Sequence, residues 1–132
     1  MGFKLNIIIL LNIFLSLIGI NRSFPPPSHD SKISIVIAKS GSQKIIDNSY
    51  IPYLLEVEIN STIQNETKNI YDLKMKENII IMKFDDNLNT CDNMFNCLDN
   101  IIEIDLSGFN SKKVENMEKM FYNCTSLTSI NF

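Results

Sequence analysis

The chain has 132 residues, 45% of them hydrophobic, with 12 basic and 15 acidic side chains, three cysteines and one histidine, for a formal charge of −3 at pH 7. That length holds one modest domain. The acidic balance, together with the lack of any Lys/Arg cluster, excludes a nucleic-acid-binding face, and the single histidine leaves little for acid–base or zinc chemistry.

The opening MGFKLNIIILLNIFLSLIGINRS carries a basic start at Lys4, an apolar run from Leu5 to Ile20 and small residues near Gly19 and Ser23. Those are the parts of a secretory signal peptide, assigned to residues 1–23. The apolar run spans about 16 positions and contains Asn6, Asn12 and Ser16, short of the ~20 residues that cross a bilayer. A Pro-rich spacer follows at 24–31, where Pro25, Pro26 and Pro27 fix an extended backbone and His29 is read as solvated.

Residues 32–86 read as a β-rich N-terminal cap. Ile33, Ile35 and Ile37 alternate, Ser40-Gly41-Ser42 makes a turn, and Ile45-Ile46 follows, which predicts a hairpin. Leu55, Val57 and Ile59 alternate with Glu56 and Glu58 in a predicted third strand, and Ile79 to Phe84 forms a fourth. The polar stretch between them holds sequons at Asn60 and Asn65, with another at Asn123, all candidates for N-glycosylation.

Residues 87–132 repeat themselves with a period of 26, as Met94-Phe95 recurs at Met120-Phe121. Leu88, Cys91, Phe95 and Leu98 correspond to Val114, Met117, Phe121 and Cys124, with common offsets of 0, 3, 7 and 10 that predict one apolar stripe of a short helix. Ile101, Ile104 and Leu106 correspond to Leu127, Ile130 and Phe132 and predict a short strand. Units of this size need stacked neighbours to bury their apolar faces. The expected fold class is therefore α+β: a small strand-rich cap leading into the first units of an α/β leucine-rich-repeat-like solenoid. Because Phe132 falls on the last apolar position of a strand, the repeat array is expected to be truncated there. Cys91 and Cys124 sit on the stripe as small core residues, whereas Cys97 lies off it; an odd number of cysteines also permits a Cys91–Cys97 bridge.

The segment IDLSGFNSKKVENMEKMFYNCTSLTSINF resembles the repeat of the BspA-like leucine-rich-repeat surface proteins, through Leu106, Ser107, Phe109, Val114, Asn116, Met117, Met120, Phe121, Cys124, Leu127 and Ile130. The copy from Leu88 to Leu106 departs from it, with Thr90-Cys91 in place of Asn116-Met117 and a cysteine at Cys97 rather than at Leu98. The resemblance implies a non-enzymatic secreted or cell-surface protein that recognises or adheres to a protein or glycan ligand. A membrane would be met only through the signal sequence or an anchor beyond residue 132. The candidate ligand-facing positions are Glu103, Asp105, Ser129 and Asn131, which alternate with apolar strand residues. No catalytic constellation, cofactor motif or metal-ligand spacing is evident. The competing reading is a small secreted structural protein, or a truncated gene product, without binding activity of its own.

Overall fold

The computed structural model describes residues 31–132; the signal peptide expected at 1–23, and all of the spacer expected at 24–31 except Ser31, lie outside the described residues. Among the described residues eight strands form: β1 (Ser31–Ile37), β2 (Gly41–Lys44), β3 (Leu54–Ile59), β4 (Thr62–Ile63), β5 (Ile70–Leu73), β6 (Asn78–Phe84), β7 (Ile101–Asp105) and β8 (Ser129–Asn131). Six make one mixed sheet in the order β4-β3-β6-β1-β7-β8, and β2 pairs with β5 in a second, two-stranded sheet.

The central strands follow from period-two burial. In β1, Ile33, Ile35 and Ile37 are fully buried while Lys32, Ser34 and Val36 face the other way. In β6, Ile80, Met82 and Phe84 take the inner face. Each such side chain contributes about 1.5–3 kcal/mol relative to exposure. Tyr71 and Leu73 of the small sheet, together with Ile45, Ile46 and Tyr50, complete one contiguous core with them.

Two bulges adjust the pattern. In β3 the register shifts between Leu54 and Glu56, so Leu54 and Val57 are buried and Leu55, expected inside, is 59% exposed. Opposite β7 the shift lies between Val36 and Ile37, which lets Ile101 and Ile104, three residues apart, both point inward.

The expected α+β solenoid is overturned. Among the described residues the helical element is a single 3-10 helix at Asn48–Tyr53, and the protein is mostly β. Residues 88–98 and 114–124 are chains of turns, not helices. Met94, Asn96 and Leu98 N–H groups donate to the carbonyls of Cys91, Asn93 and Phe95, and Met120, Tyr122 and Cys124 repeat the scheme on Met117, Lys119 and Phe121. Left-handed residues interrupt each chain at equivalent places, Asn93 and Cys97 in one and Lys119 and Asn123 in the other, with φ of 53–60°. A right-handed helix cannot run through such positions. The spacing of 0, 3, 7 and 10 arises because successive i→i+3 turns also return a side chain to one face every three or four residues.

Nor does a separate cap precede a stack. β7 pairs antiparallel with β1 on one side and parallel with β8 on the other, so the predicted cap and the repeated segment share a single sheet. The predicted hairpin between Ile33 and Ile46 is likewise absent, because β1 lies between β6 and β7 while β2 joins β5. Parallel partners in β7 and β8 are 26 residues apart: Glu103 with Ser129, Ile104 with Ile130, Asp105 with Asn131. The same offset joins Thr90 to Asn116. Between the two turn chains, the N–H groups of Cys91, Asn93, Phe95 and Cys97 donate to the carbonyls of Asn116, Glu118, Met120 and Tyr122 at 2.7–2.9 Å.

Candidate functional site

Strand alternation turns Glu103 and Asp105 of β7, and Ser129 and Asn131 of β8, to the face of the sheet opposite the core. There they meet residues distant in sequence. Glu103 lies opposite Val36 and Val36 opposite Ile79, while Asp105 lies opposite Ser34 and Ser34 opposite Ile81, which in turn faces Glu58. Ser34, Val36, Ile79, Glu103, Asp105, Ser129 and Asn131 line a hollow of about 350 Å³. Its floor is apolar at Val36 and Ile79, and its β7–β8 side is carboxylate and amide. Ile79 is 52% exposed, unusual for isoleucine in mid-sheet.

The polar wall is internally ordered. Asp105 Oδ1 accepts from the Ser107 N–H at 2.8 Å and from Asn131 Nδ2 at 3.1 Å. The bonds from Ser107, helped by the Asn131 amide, hold the Asp105 carboxyl below its usual range, so it is an anion at neutral pH. Further along the face, Glu56 Oε1 is 2.6 Å from Lys83 Nζ. The hollow thus offers hydrogen-bond acceptors and negative charge around an apolar floor, a combination suited to binding. All four predicted ligand-facing residues are brought together here; Ser34, Val36 and Ile79 were not foreseen.

The predicted repeat core divides. Leu88, Cys91, Phe95, Leu98, Ile101 and Ile104 are buried, and Leu106, Val114, Phe121, Cys124 and Leu127 are half-buried against the core. Ile130 is also half-buried, whereas Met117 and Phe132 are 46% and 83% exposed. Met94 and Met120, outside the predicted stripe, are both buried. The turn chain supplies the reason: Met94 and Met120 occupy the inner corner of a turn that a helix would have rotated outward. Cys91, Cys97 and Cys124 are all free thiols, so no Cys91–Cys97 bridge forms. Burial pushes the Cys91 thiol up to about 11, leaving it protonated at neutral pH. Among the described residues no group of three or more His, Cys, Asp or Glu could hold a metal ion.

The three described sequons are not equivalent. Asn65 is exposed, and its side chain makes no hydrogen bond among the described residues. Asn123 is exposed at a left-handed turn, and among the described residues its side chain's one hydrogen bond runs from Nδ2 to Cys97 Sγ, at 3.7 Å. Asn60 is tied down: its Nδ2 donates to Asn78 Oδ1 at 3.0 Å and to Met75 Sδ at 3.3 Å, and its Oδ1 accepts from the Ile79 N–H at 2.9 Å. A glycan on Nδ2 would remove a donor from that cluster. Expressed through a glycosylating secretory pathway, the folded chain is expected to carry glycans at Asn65 and Asn123 and none at Asn60. Peptide mass spectrometry after enzymatic deglycosylation checks this, and Asn65→Gln should remove one glycan where Asn60→Gln removes none.

No family model matches the chain, and no curated protein or solved structure matches it either.

Proposed function

We propose that this is a non-enzymatic secreted or cell-surface recognition protein, and that its ligand, a protein or a glycan, lies on the outward face of the sheet. The observation that carries the reading is the convergence of Glu103, Asp105, Ser129 and Asn131 with Ser34, Val36 and Ile79 in one hollow. An apolar floor with an ordered polar wall gives a ligand both contact area and orientation, the division of labour found in small binding sites. The resemblance of the repeated segment to BspA-like surface proteins supports an extracellular location and an adhesive role. The carboxylates of Glu103 and Asp105 favour ligands that present cations or hydrogen-bond donors, such as basic peptide stretches or sugar hydroxyls.

The test is a double charge reversal, Glu103→Lys with Asp105→Lys, in the full-length secreted chain. Neither side chain is part of the core, so the thermal midpoint should move little. Parent and variant are then applied to an array of glycans and extracellular-matrix proteins. The parent is expected to bind a subset that the variant binds at least about tenfold more weakly, a loss of ~1.4 kcal/mol. A parent that binds nothing, or a variant that binds equally well, overturns the reading; the first outcome favours a purely structural secreted protein.

A further inference from the structure

The outward face of the sheet extends beyond the hollow, and its rows can be followed from strand to strand. One row runs from Glu58 on β3 through Ile81 on β6 and Ser34 on β1 to Asp105 on β7. The next runs from Ile79 on β6 through Val36 on β1 to Glu103 on β7. Ile79, Ile81 and Val36 therefore form an apolar band, with Glu58 on one margin and Glu103 and Asp105 on the other. All these strands are interior to the sheet order. Among the described residues no ion pair within 4.0 Å involves Glu58, Glu103 or Asp105. The cations of the face occupy the row beyond Ser34 and Ile81, where Lys83 is paired with Glu56 at 2.6 Å and Lys32 lies opposite Lys83. The face thus presents exposed apolar surface between two margins of uncompensated negative charge.

Charge complementarity and width together select a ligand. Glu58 and Asp105 stand three strand spacings apart, about 14 Å. A helix with its side chains is ~10–12 Å across, and lysine or arginine stems lying along apolar surface carry their charged heads the remaining distance. An extended segment offers one row of side chains to the face, too narrow to fill the band and reach both margins. We propose that the outward face docks an amphipathic helix of another protein, with its apolar stripe on Ile79, Ile81 and Val36 and basic residues along both margins. This rests on the reading of that face as the binding surface and adds the chemistry of its ligand.

Other occupants match the face less well. A neutral glycan would hydrogen-bond to the carboxylates without neutralising any of the three, and an anionic lipid surface would be repelled by them. A second copy brings no Lys/Arg cluster, and across a two-fold axis it brings the same carboxylates. In residues 1–30 the two cations, Lys4 and Arg22, bracket the apolar run instead of flanking it, so that segment lacks basic margins.

Calorimetric titration of the full-length chain provides the test. The probe is a synthetic leucine–lysine peptide of about 18 residues, long enough to form a helix, with lysines bordering its leucine stripe on both sides. Binding is expected with a Kd on the order of 10 µM at low salt and at least about tenfold weaker in about 0.5 M sodium chloride. Glu58→Lys, which lies outside the hollow, should weaken it at least about fivefold, and Ile79→Ser by a similar factor, neither moving the thermal midpoint much. Glu115→Lys, the same change of charge on an exposed turn, should leave it unaltered. Carbodiimide labelling of carboxyl groups, read by peptide mass spectrometry, should modify Glu103 as readily as Glu115 in the free chain and at least about threefold more slowly with the peptide bound. Glu103 protected before any peptide is added would mean that the chain itself covers the face, and equal weakening by Glu115→Lys would reduce the effect to net charge. Either result, or a peptide that does not bind, overturns the proposal. An array ligand lost with Glu103→Lys, Asp105→Lys but indifferent to Glu58→Lys and to salt overturns the helix and leaves the hollow as the binding site. A chain that binds neither array nor peptide overturns both.

Discussion

Replacing Phe95 with alanine is expected to destabilise the protein by about 3–5 kcal/mol, a large fraction of the roughly 5–15 kcal/mol that holds a domain of this size folded. Phe95 is completely buried, and its ring stacks on that of Phe121 with centroids 6.0 Å apart and planes within 4°. Its backbone also bridges the two turn chains, through the N–H that donates to Met120 O at 2.9 Å. Truncation would leave a cavity lined by rigid backbone turns that cannot collapse into it, which places the cost at the upper end of the range. Phe121, half-buried on the open side, should cost about half as much. The double variant should fall short of the sum by ~0.5–1.5 kcal/mol, the coupling of a stacked aromatic pair. Urea denaturation followed by circular dichroism measures all three. If Phe95→Ala loses no more than Tyr122→Ala, a change at a 63% exposed ring, the packing described for the first chain is wrong.

What could be read from the sequence follows the range of the interactions that determine it. The strands at β1, β3 and β6 are legible because β-branched residues alternate there, and alternation is a local property. Their partners are not. Ser40-Gly41-Ser42 invites a hairpin, yet β1 is enclosed by β6 and β7, strands that begin 41 and 64 residues after Ile37, and no local pattern encodes that choice. The helix prediction failed because tandem turns and a helix repeat apolar side chains at similar intervals. The distinguishing signal is the set of residues at the left-handed positions. Asn93 and Asn123 are of a type that tolerates positive φ, whereas Cys97 and Lys119 give no such hint. The same limits apply to the hollow. Glu103, Asp105, Ser129 and Asn131 were identifiable as strand positions opposite to apolar ones, but Ser34, Val36 and Ile79 join them only through pairings made across the sheet.

Asn78 provides the second large effect, and one whose size changes with pH in the aspartate variant. It is fully buried at the start of β6, where Nδ2 donates to Met75 O at 2.7 Å and to Lys39 O at 3.2 Å, and Oδ1 accepts from Asn60 Nδ2 at 3.0 Å. Asn78→Ala strips acceptors on two loops of their donor and is expected to cost about 2–4 kcal/mol. Asn78→Asp preserves the shape but replaces the donors with oxygen. Facing two carbonyls and burial, that carboxyl should have its folded-state pKa raised above the unfolded value of about 3.9, so the folded chain binds the extra proton. Stability is then retained while the group is protonated and falls as pH rises past the unfolded value, levelling off above the folded one. At about pH 4 the aspartate variant should be more stable than at pH 7 relative to the parent protein, by up to ~1.4 kcal/mol for each unit of the shift traversed. Asn78→Ala should show no such pH-dependent difference. Urea midpoints of the three proteins at the two pH values decide the matter: an aspartate variant whose deficit is constant with pH would mean that water reaches the site and that Asn78 does not hold the two loops together.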